Sequence, residues 1–115
     1  MKSKIFLAIA VIAPICAQAP TGDSQNGKRI FEKDGCFECH GYAAQGTRDG
    51  PTLAATKLTE QAVMRYVRKP FGQMPAYTAK VLSDHDLADI YAYLKSFPAA
   101  KAAKDIPLLN QVRDK

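Results

Sequence analysis

The chain has 115 residues, 47% hydrophobic and 23% charged, with 16 basic side chains against 11 acidic ones and a net charge of +5. That length allows one small domain with a limited core. The basic residues form no dense block interleaved with aromatics, which excludes a nucleic-acid-binding surface of the ordinary kind.

The N-terminus reads as an export leader. Lys2 and Lys4 precede an apolar run from Ile5 to Ile15, and the small residues Ala17 and Ala19 follow it. The run is too short to cross a bilayer, whereas its basic flank and small-residue exit suit a signal peptidase. Cleavage is expected after Ala19, giving a leader of residues 1–19 and a periplasmic product; a cut after Ala17 is the alternative, since Pro20 would otherwise begin the mature chain. Cys16 raises a lipoprotein reading, but Ile15 stands where acylation calls for a small residue. Losing Lys2 and Lys4 with the leader lowers the net charge to about +3. Cys36 and Cys39 are then the remaining thiols, and export would oxidise a bare pair to a disulfide.

The first helix is expected from Ser24 to Asp34, with Gly27, Ile30 and Phe31 on one face and Gly35 as its stop. Cys36-Phe37-Glu38-Cys39-His40 follows directly. The two thiols have the spacing that adds across the two vinyl groups of a haem, and the adjacent histidine can coordinate the iron; C-x-x-C-H is the attachment signature of c-type haem. Three other readings explain less. A thioredoxin-like pair needs a βαβ context and an activating helix N-terminus. A zinc site needs four ligands, and only His85 stands as a further strong candidate. A plain disulfide leaves His40 unexplained.

A second helix is expected from Thr59 to Lys69, capped by Thr59, ended by Pro70, and with Val63, Tyr66 and Val67 on one side. Met64 lies inside it and reads as core filler. Met74, followed by Pro75, lies in the loop beyond. The third helix is expected from Ser83 to Phe97: Ser83 with Asp86 forms a capping box, and Leu87, Ile90, Tyr91 and Leu94 make its apolar stripe. His85, between Asp84 and Asp86, reads as a solvated histidine. No alternating run of strand length occurs, so the fold class is all-α. Residues 20–98 make the domain and residues 99–115 a C-terminal extension, an Ala/Lys segment followed by Leu108 and Leu109. Those leucines are expected to fold back onto the body, with docking on a partner as the sharper reading.

From Asn26 to Phe97 the chain resembles the class I cytochromes c, which carry one haem with His/Met ligation. The resemblance implies a small fold of three main helices wrapped around a covalently attached haem c. It implies that Gly27 and Phe31 cross Ile90 and Tyr93 where the first and last helices meet. It further implies Cys36 and Cys39 as the thioether positions, His40 and Met74 as axial ligands, and the Pro51 carbonyl as acceptor of a hydrogen bond from His40. That bond would set the histidine tautomer and strengthen its donation to the metal.

Iron capped on both faces has no open position for a substrate, so the expected function is one-electron transfer by a periplasmic carrier rather than an enzyme. A methionine ligand and an apolar pocket both favour ferrous iron and raise the reduction potential. Expected partners are redox proteins: a periplasmic dehydrogenase, a respiratory complex or a terminal oxidase. No transmembrane span is expected in the mature chain, which would be a monomer or a subunit of a hetero-complex. Lys28, Lys33, Lys57, Lys69 and Lys80 are candidates for a basic ring facing an acidic partner. Tyr66, Tyr77, Tyr91 and Tyr93 are expected in the core, with a haem propionate as their sharper alternative. The rival function is a haem enzyme or gas sensor with an open iron, which the ligation state of Met74 distinguishes.

Overall fold

Asp23 starts the first helix by accepting from the N–H groups of Gln25 and Asn26 at 2.8 and 3.2 Å. The computed structural model describes residues 21–113, so the leader expected over residues 1–19, including Cys16, lies outside the described residues. In chain order the helices are α1 (Ser24–Lys33), α2 (Cys36–His40), α3 (Glu60–Arg68), α4 (Asp84–Ser96) and α5 (Pro107–Arg113), with a 3-10 turn (Ala103–Asp105) before the last. No strand occurs among the described residues, as the all-α reading expects. The three longest helices are those read from the sequence, while α2 and α5 are short additions.

Local chemistry explains the boundaries. Thr59 accepts from the Ala62 N–H at 3.2 Å, and Ser83 and Asp86 exchange both bonds of the capping box, at 3.1 and 3.0 Å. These contacts satisfy helix N–H groups that have no partner inside the helix.

The core forms where α1 crosses α4. Ile30 and Phe31 meet Leu87, Ile90, Tyr93 and Leu94, all buried, with the Phe31 and Tyr93 rings 5.5 Å apart. Gly27 makes the crossing close: a Cβ there would overlap the Asp89 carbonyl and stand 2.8 Å from the Ile90 nitrogen. On α3 the half-buried side is Val63, Met64 and Val67; Tyr66 turns outward to meet Phe71 edge-on at 6.1 Å. The expectation that Tyr66 shares the inner face is therefore corrected. Val63 and Val67, the other two residues expected there, do lie on the half-buried side, and Tyr66 sits at its edge, where its ring meets Phe71 instead.

A buried carboxylate, not foreseen from the sequence, fastens α1 to α4 as well. Asp89 is 1% exposed and accepts from the Asp23 N–H and the Asn26 amide, both at 2.7 Å, while the exposed His85 ring faces it at 3.5 Å. Burial works to raise this carboxyl, but those hydrogen bonds and His85 outweigh it and hold it below the ordinary value. The Ser83 hydroxyl, then its backbone N–H, does the same for Asp86. A carboxyl with a lowered folded-state value stabilises the fold above its unfolded value and loses that contribution as pH falls through the folded one. Urea midpoints are thus expected to hold steady down to about pH 5 and to fall below about pH 4. Midpoints that stay level to pH 3 would contradict both assignments.

Beyond Ser96 the chain runs without regular structure until the 3-10 turn, and α5 packs against that turn rather than against the body. Leu108 and Leu109 are 69% and 46% exposed, so the expectation that they fold back is corrected. The preceding Ala/Lys segment offers no large apolar side chain to anchor such a return. No helix among the described residues is long and apolar enough to cross a membrane.

Candidate haem site

Gly35, with φ at 77°, ends α1 and lets α2 begin at once in a new direction. Residues three and four apart lie on neighbouring positions of a helical turn, so Cys36, Cys39 and His40 all belong to the single turn of α2. Cys36 is half-buried against the core and Cys39 is exposed. Burial, and after it the charge of Asp34, pushes the Cys36 thiol up to about 11. Redox-active and nucleophilic cysteines have lowered values, so this thiol has the wrong environment for a thioredoxin-like pair. Nor do three or more His, Cys, Asp and Glu side chains among the described residues stand so that they alone could hold a metal ion, as a zinc site would need.

The His40 ring is buried, and its Nδ1–H donates to the Pro51 carbonyl at 2.8 Å. A proton on Nδ1 leaves Nε2 with its lone pair, which is the form of imidazole that binds a metal. Residues 41–54 are folded tightly to bring Pro51 there. The Gly46 N–H reaches the His40 carbonyl at 2.8 Å, the Thr47 hydroxyl the Cys39 carbonyl at 2.6 Å, and the Thr52 hydroxyl the Gln45 carbonyl at 2.7 Å. Leu53 and Ala54 N–H groups share the carbonyl of the buried Ala44. Gly50 touches α2 itself, since a Cβ there would stand 2.7 Å from the Cys39 oxygen and 3.1 Å from His40 Nδ1. No side chain fits between this loop and the histidine.

The core is flanked by apolar surface that the polypeptide covers only in part. Cys36, Phe37, Leu53, Ala54, Met64, Val67, Tyr77 and Phe97 are all half-buried against the core, and α3 has no fully buried residue despite its apolar side. A flat apolar cofactor fits such a wall, because helix α3 otherwise leaves its hydrophobic face in contact with water. Met74 is half-buried on the loop between α3 and α4, with Pro75 exposed beside it. That loop meets the α2 region through Tyr77, whose hydroxyl donates to the Asp34 carbonyl at 2.9 Å.

Residues 22–94 match the family described as cytochrome C oxidase, cbb3-type, subunit III. The chain belongs to this cytochrome c family. It is 32% identical over 105 residues to the 4-cresol dehydrogenase [hydroxylating] cytochrome c subunit of Pseudomonas putida, a match covering 86% of this chain and 89% of that one. It is 27% identical over 88 residues to cytochrome c-555 of Methylococcus capsulatus, covering 75% of this chain and 72% of the relative. Against the menaquinol:cytochrome c reductase cytochrome c subunit of Bacillus subtilis the identity is 27% over 85 residues, which is 74% of this chain but 33% of that protein. No solved structure matches the chain. Members of the cytochrome c family are electron carriers rather than enzymes themselves, and membership implies haem c.

Among the described residues no buried side-chain nitrogen or oxygen lacks a hydrogen-bond partner. Tyr91 and Tyr93 donate to the carbonyls of Leu58 and Tyr42 at 3.0 and 2.8 Å, so both hydroxyls tether loops to α4. His85 is solvated, as expected, apart from its approach to Asp89. All five candidate lysines are exposed, but Lys28 and Lys33 face Glu32 and Asp34 at 3.9 and 3.7 Å, which weakens any ring that includes them. Sequence reasoning passed over Gly50 as a contact of His40, and Arg68, which binds the Met74 loop from α3. Both act across distances that no local pattern encodes.

Proposed function

We propose that this cytochrome is a periplasmic one-electron carrier with one haem c, held covalently by Cys36 and Cys39 and ligated by His40 and Met74. The observation that carries the reading is the buried His40 ring, donating from Nδ1 to Pro51 while α2 presents the two cysteines on the same turn. The haem would supply the ferrous–ferric couple; everything else is done by the polypeptide. The Pro51 carbonyl keeps His40 in one tautomer and orientation, which strengthens its donation to the metal. Met74 contributes a soft sulfur that favours the ferrous state. Apolar side chains such as Leu53, Met64 and Val67, half-buried on the core, would keep water from the haem, and low polarity disfavours the extra positive charge of ferric iron.

The lysine-flanked apolar leader supports export. The electron donor we favour is a periplasmic dehydrogenase. Support comes from the relative of Pseudomonas putida, a dehydrogenase's cytochrome subunit matched over most of both chains. The extension over residues 99–115, with its exposed Leu108 and Leu109, adds to this reading as surface offered to a dedicated partner.

The test is to express the full chain in a host that attaches haem to exported proteins, and to measure intact mass and visible spectra in both redox states. One covalent haem and a reversible one-electron change are expected. The Cys36→Ser/Cys39→Ser double variant should emerge without the mass increment. A colourless unmodified product would refute the proposal outright.

A further inference from the structure

We propose that Tyr77 and Arg68 form a latch that holds the Met74 loop against the segment bearing Cys36 and His40. The latch would thereby set how readily the methionine leaves the iron. The inference rests on the His40/Met74 ligation proposed above.

Residues 69–83 contain no regular secondary structure, and Phe71 and Val81 in them are 81% and 64% exposed. A loop of this kind opens easily unless particular contacts restrain it. Tyr77 supplies three, two to the end of α3 and one to the end of α1. Its N–H donates to the Val67 carbonyl of α3 at 3.1 Å, and its hydroxyl donates to the Asp34 carbonyl at 2.9 Å. Its own carbonyl accepts from Arg68 Nη1 at 2.9 Å. Arg68 is the last residue of α3, and its Nη2 meets Asp84, the first residue of α4, at 2.6 Å. One guanidinium therefore closes the neck of the loop and grips its middle, a geometry that the planar fork of arginine allows and lysine does not.

The connection to Met74 is short and stiff. Met74-Pro75-Ala76-Tyr77 has a proline ring with a fixed φ in second place, and proline also confines the residue before it to extended backbone. Movement of Tyr77 is accordingly passed on to Met74 with little slack. At the other end, Asp34 caps α1 one residue before Gly35 and two before Cys36. The tyrosine hydroxyl thus joins the two segments that the proposed function assigns to opposite faces of the haem. The Asp34–Tyr77 bond spans 43 residues of sequence.

The experiment follows displacement of the methionine by imidazole in the ferric, haem-loaded full chain, read as decay of the weak far-red band of thioether-ligated haem. Tyr77→Phe keeps the ring in place and removes one neutral hydrogen bond, so displacement is expected to become about five- to tenfold faster. Arg68→Met removes both guanidinium contacts and should accelerate it about tenfold or more, with Arg68→Lys between that and the unmodified protein. Arg65→Met, which takes an exposed cation from the preceding turn, should leave the rate unchanged. Unchanged displacement in both Tyr77→Phe and Arg68→Met would overturn the latch while leaving the ligation reading intact. A missing far-red band in the unmodified protein would instead refute the ligation itself and the latch with it.

Discussion

Met74→Ala is expected to abolish the far-red band of the ferric protein, lower the reduction potential by about 120 mV, and open the iron to cyanide. The size follows from what the thioether does. A soft sulfur stabilises ferrous iron over ferric, and exchanging it for water or hydroxide reverses that preference. A shift of about 120 mV is two factors of ten for a one-electron couple at roughly 59 mV each, well inside the roughly 0.8 V that axial ligation spans. Met64→Leu is the matched control, because Met64 is half-buried against the core and its loss should cost packing alone. Potentiometry with cyanide titration distinguishes the two. A variant at position 74 that keeps both band and potential would remove Met74 from the iron, and the open-iron reading would then regain its ground.

Gly27→Ala is expected to destabilise the haem-loaded protein by about 2 kcal/mol, against the direction that helix propensity predicts. Propensity by itself favours alanine over glycine inside a helix by about 1 kcal/mol. The added Cβ, however, would overlap the Asp89 carbonyl and approach the Ile90 nitrogen at 2.8 Å, and both of those are backbone atoms that cannot rotate away. Relief requires α1 to move off α4, which disturbs the Phe31–Tyr93 contact and the hydrogen bonds to Asp89. Overpacking of this kind costs about 3 kcal/mol, so the clash prevails. Lys28→Ala, exposed on the same helix, should stay within about 0.5 kcal/mol of the unmodified protein. Equal or greater stability of the Gly27 variant in urea would show that the crossing is looser than drawn.

The elements that proved easiest to read share a physical basis. Thr59, Ser83 with Asp86, and Gly35 act on helix ends within about one turn of themselves, so a single sequence reveals them. The C-x-x-C-H run is equally compact, and one turn of helix suffices to gather its three side chains. The helical form of that run was nonetheless not foreseen, because five residues are too few for an apolar period to emerge. Tyr66 illustrates the opposite problem: its spacing fits the inner face of α3 along with Val63 and Val67, yet it alone of the three turns outward. Helical spacing locates a stripe to within a residue, while packing decides its edge.

The order of chemical parts along this chain, an α1 helix with Gly27, the Cys36–His40 turn, the Gly50-Pro51 loop, Met74 and a capped last helix, was determined by the sequence alone. Only the tertiary structure decided how those parts hold one another. The Asn26–Asp89 bond spans 63 residues, the Asp34–Tyr77 bond 43, and the Arg68–Asp84 pair closes a loop whose own residues carry no periodic signal. Short-range hydrogen bonds leave a pattern in the sequence because both partners lie within one turn. A long-range bond leaves none until the chain has folded and brought its donor and acceptor within reach.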